Sequence, residues 1–169
     1  MLVERSRIPP EGLDLRVCEE PRWEGVEGLW TSLDPVEASF HLERKGGRIL
    51  ATGAFVTTAV VLCSRCSEAV SIPVSDQFEV LYGGTPNGSR GDDSELIPEE
   101  TDVEFLEHDR LDLSGLLREN VLLNLPLQPL CRAECRGLCP RCGVNLNEIS
   151  CQCRIPEPDP RLRPLQHLL

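Results

Sequence analysis

The chain has 169 residues, 40% of them hydrophobic and only 4% aromatic, which suits one folded domain, or one domain plus a small appendage, with a core resting on Leu, Val and Ile. Its net charge of −11 argues against a general nucleic-acid binder, because phosphate binding draws on an excess of Lys and Arg. The start, Met1 to Pro10, has no apolar h-region and no apolar run approaches a membrane span, so we expect a cytoplasmic protein without membrane association, in a compartment where thiols stay reduced.

Ile8 to Cys18 is predicted as a first strand, since Leu13, Leu15 and Val17 alternate with polar residues. Trp23 to Leu33, with its two tryptophans and two glycines, reads as irregular. Val36 to Arg44 alternates again, placing Val36, Ala38, Phe40 and Leu42 on one face. Lys45-Gly46-Gly47-Arg48 marks a hairpin, and Ile49 to Leu62 is a long β-type run with a candidate break at Gly53. Ile72 to Tyr82 is a further strand, with Ile72, Val74, Phe78 and Val80 at even spacing. Gly83 to Glu107 reads as a long solvated acidic loop with a short extended piece near Val103 to Leu106.

Leu111 to Leu125 carries the clearest helical pattern, with Leu113, Leu116, Leu117, Asn120, Val121 and Asn124 on one side. Asp112 or Ser114 can cap it, and Pro126 ends it. Arg161 to Leu168 reads as a short final helix. The expected fold is α+β: an antiparallel sheet of four or five strands with a packed helix near 111–125, then a Cys-rich zinc-knuckle segment and the short helix. Residues 1–125 form the sheet-and-helix part, with the acidic loop at about 83–107. Residues 126–169 form the Cys-rich part, expected to pack on the same domain.

Charge is uneven along the chain. Ser67 to Glu119 holds 3 basic and 14 acidic residues, whereas Asn120 to Leu169 holds 6 basic and 4 acidic. The acidity therefore belongs to one middle stretch, and every basic residue of the last part is an arginine.

Eight of the nine cysteines fall in pairs: Cys63/Cys66, Cys131/Cys135, Cys139/Cys142 and Cys151/Cys153. A tight turn aims two thiolates at one point, and zinc takes four such ligands in a tetrahedron, so two turns complete one site. Cys139-Pro-Arg-Cys142-Gly143 is a strong form, because glycine permits the positive φ that turns amides toward the sulfurs. Eight thiolates suffice for two ions, but spacing does not fix the partition. Short closure favours Cys139, Cys142, Cys151 and Cys153 as a local site. Cys63 and Cys66 are then left to pair with Cys131 and Cys135, which would staple the sheet to the segment after the helix. One or two zinc ions are expected.

Other readings compete. Cys18 fits a buried core residue. A redox role for Cys63 and Cys66 lacks the βαβ context of a thioredoxin-like site, and four thiolates can also carry an iron–sulfur cluster. Catalysis finds little support: His41, His108 and His167 are isolated, and the chain has neither a phosphate loop nor a nucleophile elbow. No small-molecule substrate is expected.

The run Leu122-Leu-Asn-Leu-Pro-Leu-Gln-Pro-Leu-Cys131 is followed by Cys135-Arg-Gly-Leu-Cys-Pro-Arg-Cys-Gly-Val-Asn-Leu-Asn147, then Cys151-Gln-Cys153 and Asp159-Pro160-Arg161-Leu162. Together with Leu62-Cys63-Ser64-Arg65-Cys66 and Leu111-Asp112-Leu113, this resembles the YceD family, the large ribosomal RNA subunit accumulation proteins. The resemblance is specific from about Ala59 onward. It implies a bacterial or plastid protein needed for normal accumulation of large-subunit (23S) ribosomal RNA.

The expected function is thus a non-enzymatic ribosome-biogenesis factor with structural zinc. Its partner is either large-subunit ribosomal RNA or a basic large-subunit ribosomal protein held by the acidic stretch. Arg132, Arg136, Arg141 and Arg154 are the candidate contacts to RNA phosphates, against a plain solvated surface. The zinc region has no aromatics to stack on bases, which argues against sequence-specific readout there. The alternatives are a zinc-ribbon adaptor in transcription and a thiol or iron–sulfur redox protein.

Overall fold

Apolar residues at every second position commit most of the first eighty residues to strands, and one 3.6-residue pattern yields the helix. The computed structural model of the chain describes residues 1–26, 28–83, 103–106 and 108–153. Most of the expected acidic loop, the expected final helix and Arg154 lie outside the described residues.

The strands are β1 (Leu2–Glu4), β2 (Leu13–Glu19), β3 (Ser32–Leu33), β4 (Val36–Lys45), β5 (Arg48–Leu62), β6 (Ala69–Gly83), β7 (Val103–Phe105) and β8 (Arg110–Asp112), and the helix α1 is Leu113–Asn124. One sheet of six strands runs β2-β4-β5-β6-β7, with β3 also paired to β5. β1 and β8 make a separate antiparallel pair. The sheet is larger than the expected four or five strands, and it is not wholly antiparallel. β7 runs parallel to β6, with Leu81, Tyr82 and Gly83 opposite Val103, Glu104 and Phe105. β7 falls on the expected short extended piece near Val103 to Leu106, whereas β1, β3 and β8 are too short for an alternation to register in sequence.

The chain divides into two compact units, Met1–Val61 with Ser71–Leu127, and Leu62–Val70 with Gln128–Leu169. The second unit thus recruits Leu62–Val70, which the sequence reading leaves with the sheet.

In the first unit, β4 buries Val36, Ala38, Phe40 and Leu42, as its alternation predicts. Gly46 and Gly47 both take positive φ between register partners Lys45 and Arg48, which is the two-residue turn that matches strand twist. Gly53 does not break β5. It lies opposite Phe40, and a Cβ there would run into the Phe78 ring. That ring meets Phe40 edge-on at 6.0 Å and Phe55 at 6.4 Å. The Phe78 ring therefore fills the space this glycine leaves open, and Phe40 and Phe55 pack against it.

α1 starts two residues later than expected, because Leu111 and Asp112 belong to β8. Asp112 is the cap; its carboxylate accepts from the Ser114 N–H at 3.2 Å. Leu113, Leu116, Leu117 and Val121 are buried, and the Asn120 and Asn124 amides bond back to the carbonyls of Leu116 and Asn120. Leu123 is 81% exposed, so the apolar face is narrower than the leucine-rich sequence suggests. Cys18 is a further correction: β2 turns Leu13, Leu15 and Val17 inward and leaves Cys18 exposed on the other face. Among the described residues no helix is long and apolar enough to cross a membrane.

Gly53→Ala is expected to destabilise the protein by about 1–3 kcal/mol, the cost of overpacking a filled site. Asp112→Ala should cost about 1 kcal/mol through the lost cap. Denaturant unfolding monitored by far-UV circular dichroism measures both.

Candidate metal centres

Among the described residues, the second unit buries few apolar side chains. Its small core consists of Cys63, Cys66 and Cys135, with Val70 and Leu130 packed against them. β5 ends at Leu62, and the turn Cys63-Ser64-Arg65-Cys66 joins it to β6. The turn is closed by Ser67 N–H donating to Cys63 O, and by Cys63 N–H donating to Glu68 O, each at 2.8 Å. Ser67 takes a positive φ of 59° to complete it. The chain after α1 approaches with Pro129 O accepting from Ser64 N–H at 2.8 Å, and brings Cys131 and Cys135 to the same place.

Cys63 Sγ lies 3.8 Å from Cys135 Sγ, and Cys66 Sγ lies 3.6 Å from Cys131 Sγ. All four sulfurs lie within 4.8 Å of one another. Thiolates bound at about 2.3 Å to one tetrahedral ion stand about 3.8 Å apart. A disulfide would need about 2.05 Å, and all nine cysteines are free. A four-iron cluster would interpose several atoms between its thiolates and spread them further than this. The donor set and its spacing fit a single thiophilic ion.

Cys139, Cys142, Cys151 and Cys153 form the second group, again with all sulfurs within 4.8 Å. A small hairpin presents the first two. Leu138 and Asn145 make a β-bridge, Cys139 N–H donates to Val144 O at 2.8 Å, and Gly143 N–H donates to Cys139 O at 2.9 Å. Gly143 has the positive φ, 72°, that its place after the knuckle requires. Both groups pair the cysteines in the partition that short closure favours. The first is the drier: Cys63, Cys66 and Cys135 are buried, whereas in the second only Cys139 is.

Packing four thiols so closely splits their acidities. Burial pushes the Cys63 thiol up, but the backbone N–H groups of Arg65, Cys66 and Cys131 outweigh it and bring it down to about 6. The N–H groups of Cys142 and Arg141 bring Cys139 down to about 6 as well. Burial and the neighbouring Cys135 thiol drive Cys131 up to about 12. The Cys142 thiol and burial do the same to Cys153. Near neutral pH the metal-free clusters thus hold thiolate and thiol side by side. A divalent ion removes the conflict by replacing the remaining protons.

Cys135 has an additional support. The Asn147 side-chain N–H donates to Cys135 Sγ at 3.3 Å and, first among several causes, lowers the pKa of that thiol. Asn147 Oδ1 accepts from Arg136 N–H at 2.8 Å. Asn145 donates to Glu68 Oε1 at 2.8 Å, and Arg65 Nη1 donates to Cys135 O at 3.0 Å. Sequence reading did not single out Arg65, Glu68, Asn145 or Asn147 for a role. Two Asn separated by one residue just after a knuckle are a recognisable turn signal, since short amides bond nearby backbone. Of the candidate RNA contacts, Arg132, Arg136 and Arg141 are exposed.

The family described as "Large ribosomal RNA subunit accumulation protein YceD" matches residues 51–169, well over half of the chain and all eight clustered cysteines. A chloroplastic protein of Arabidopsis thaliana named "Large ribosomal RNA subunit accumulation protein YCED homolog 1" is 27% identical over 155 residues, which is 79% of this chain and 48% of that protein. An uncharacterized protein of Mycobacterium tuberculosis is 29% identical over 111 residues, 66% of this chain and 51% of its own length. The uncharacterized protein YlbN of Bacillus subtilis is 35% identical over 72 residues, 42% of each chain. The chain spans about half the length of the curated relatives it matches. No solved structure matches it.

Protons and metal compete for the same sulfurs, so metal affinity should fall as pH falls. For protein loaded with a divalent ion, the fraction taken by a chromogenic chelator should rise as pH falls from 7.5 to 5.5, because the Cys63 and Cys139 thiols, brought down to about 6 in the metal-free clusters, then take up protons once the ion leaves. A flat profile over that range would contradict thiolate ligation.

Proposed function

This chain belongs to the YceD family of large ribosomal RNA subunit accumulation proteins, and on that premise we propose that it is a non-enzymatic ribosome-biogenesis factor that supports accumulation of 23S ribosomal RNA, with its second unit held by two structural zinc ions. The observation that carries the reading is the pair of four-cysteine clusters in the matched region.

Zinc suits both clusters for stated reasons. It takes four thiolates in a tetrahedron at the sulfur spacing found here. Its ligands must stay reduced, as they do in the cytoplasm, where this reading places the protein. Four protein ligands leave no open position for water, so the centres support folding rather than hydrolysis. In a unit whose core, among the described residues, is three cysteines and two apolar side chains, metal binding supplies much of the folding free energy.

The reading gives Arg132, Arg136 and Arg141 the role of touching RNA phosphates. The described part of the second unit balances Arg65, Arg132, Arg136 and Arg141 against Glu68, Glu134 and Glu148, so bulk attraction is weak. Contact with RNA then works by position, in company with a basic large-subunit ribosomal protein drawn to the acidic middle stretch. A ribbon-type reading, as an adaptor in transcription, draws on the Leu138–Asn145 bridge and the knuckle within it. Sedimentation separates the two: the first places the protein with precursor large subunits, the second with RNA polymerase.

Three results are expected. Native mass spectrometry of protein made under reducing conditions should give two zinc ions per chain; a coloured, iron-containing protein would redirect the reading to redox chemistry. Depleting the protein from its host should lower 23S relative to 16S ribosomal RNA, with rescue by the wild-type chain and none by a Cys66→Ser, Cys142→Ser double variant. An unchanged ratio would sink the proposal. Replacing Arg132, Arg136 and Arg141 together by Ala should cut co-sedimentation with precursor large subunits about tenfold at moderate salt, while metal content stays at two.

A further inference from the structure

The hairpin that carries the second cluster also grips both halves of the first. Leu146 N–H donates to Gly137 O at 2.9 Å, and the bridge Leu138–Asn145 and the Cys139–Val144 bond continue the ladder toward the Cys139–Cys142 turn. From the base of this hairpin, Leu138 N–H donates to Arg65 O at 3.0 Å, inside the Cys63–Cys66 turn. Gly137 lies so close that a Cβ would stand 2.9 Å from that same carbonyl. Asn145 reaches Glu68, whose backbone carbonyl holds the Cys63 amide. Asn147 reaches the other half, donating to Cys135 Sγ at 3.3 Å while its own oxygen takes the Arg136 amide. The same Asn147 amide also donates to Asn145 Oδ1 at 2.8 Å, so the two contacts act as one piece.

We propose that the two centres are coupled through this hairpin, with Asn147 as the positioning residue: an ion in the Cys139/Cys142/Cys151/Cys153 centre closes the hairpin, and the closed hairpin sets Cys135 for the ion in the Cys63/Cys66/Cys131/Cys135 centre. The inference rests on the reading that both centres hold metal.

The physical route is short. Two ligands of the second centre sit at the hairpin turn, and metal there fixes its register. With the register fixed, Asn145 and Asn147 project at Glu68 and Cys135; with the turn open, neither is held. An N–H bond to a coordinating sulfur draws charge from the thiolate and fixes the direction of its lone pairs. Outer hydrogen-bond partners of this kind are worth about 10–100-fold in metal affinity. Coupling between binding sites is reciprocal, so an ion in the first centre strengthens the second by the same factor.

The test uses the full chain with cobalt(II) as a coloured probe and a competing chelator. Wild type should bind two ions. A Cys142→Ser, Cys151→Ser variant, which empties the second centre, should hold its remaining ion on the order of tenfold more weakly than the wild-type first centre. A Cys66→Ser, Cys131→Ser variant should weaken the second centre by a similar factor. Asn147→Asp removes no ligand and keeps the side-chain size but loses the N–H. It should weaken the first centre and move its thiolate-to-cobalt charge-transfer band to longer wavelength, because the sulfur lone pair is no longer stabilised. A merely structural role for Asn147 would leave that band in place. Two ions bound in wild type, with unchanged first-centre affinity in both the emptied variant and Asn147→Asp, would overturn the coupling and leave the metal reading standing. Fewer than two ions in wild type would overturn the metal reading and the coupling with it.

Discussion

Four sulfurs held within 4.8 Å of one another repel as thiolates and gain little as thiols, and the second unit is arranged around two such places. Most of its other contacts answer to that constraint. Backbone amides point into the clusters, turns are closed by hydrogen bonds to cysteine carbonyls, and Asn147 spends a side-chain donor on a sulfur. Among the described residues, the apolar side chains packed against the first cluster, Val70 and Leu130, are too few to hold such a segment by burial alone. The first unit shows the opposite economy. Its strands and helix bury a continuous set of Val, Leu, Ile and Phe, with Leu42, Ile49, Leu117 and Val121 almost wholly inaccessible.

This contrast explains what could be read from the residues. The β4–β5 hairpin was legible because period-two alternation and a Gly-Gly turn agree on one register. The helix was legible because four buried positions recur at helical spacing and an aspartate stands at the cap. Of the strands of two or three residues, β7 alone was legible, as a short extended piece; β1, β3 and β8 were not, since they owe their existence to partners already in place. The parallel pairing of β7 with β6 depends on how the intervening chain returns, which no local pattern encodes. Cys18 was misjudged because buried cysteine is common in general, while the alternation of β2 puts this one outside.

For the clusters, pairing was legible and support was not. Four Cys pairs announce knuckles through their spacing, and loop closure ranks the partitions. The residues that hold the knuckles in place are ordinary in type. Arg65 and Glu68 read as surface charge, and Asn145 and Asn147 as turn formers. Only the fold shows that their side chains end on Cys135, on its carbonyl and on each other.

The two centres also differ in when they can exist. Cys63 and Cys135 lie 72 positions apart. At roughly 5–20 residues per second, a ribosome takes about 4–14 s to supply the second after the first. During that interval β5 leaves the tunnel ending in a bare thiol pair. The newborn chain therefore has a period in which oxidants, or a metal of the wrong kind, can reach Cys63 and Cys66 before their proper companions arrive. Speed of synthesis across the acidic middle stretch thereby sets how long that pair waits alone.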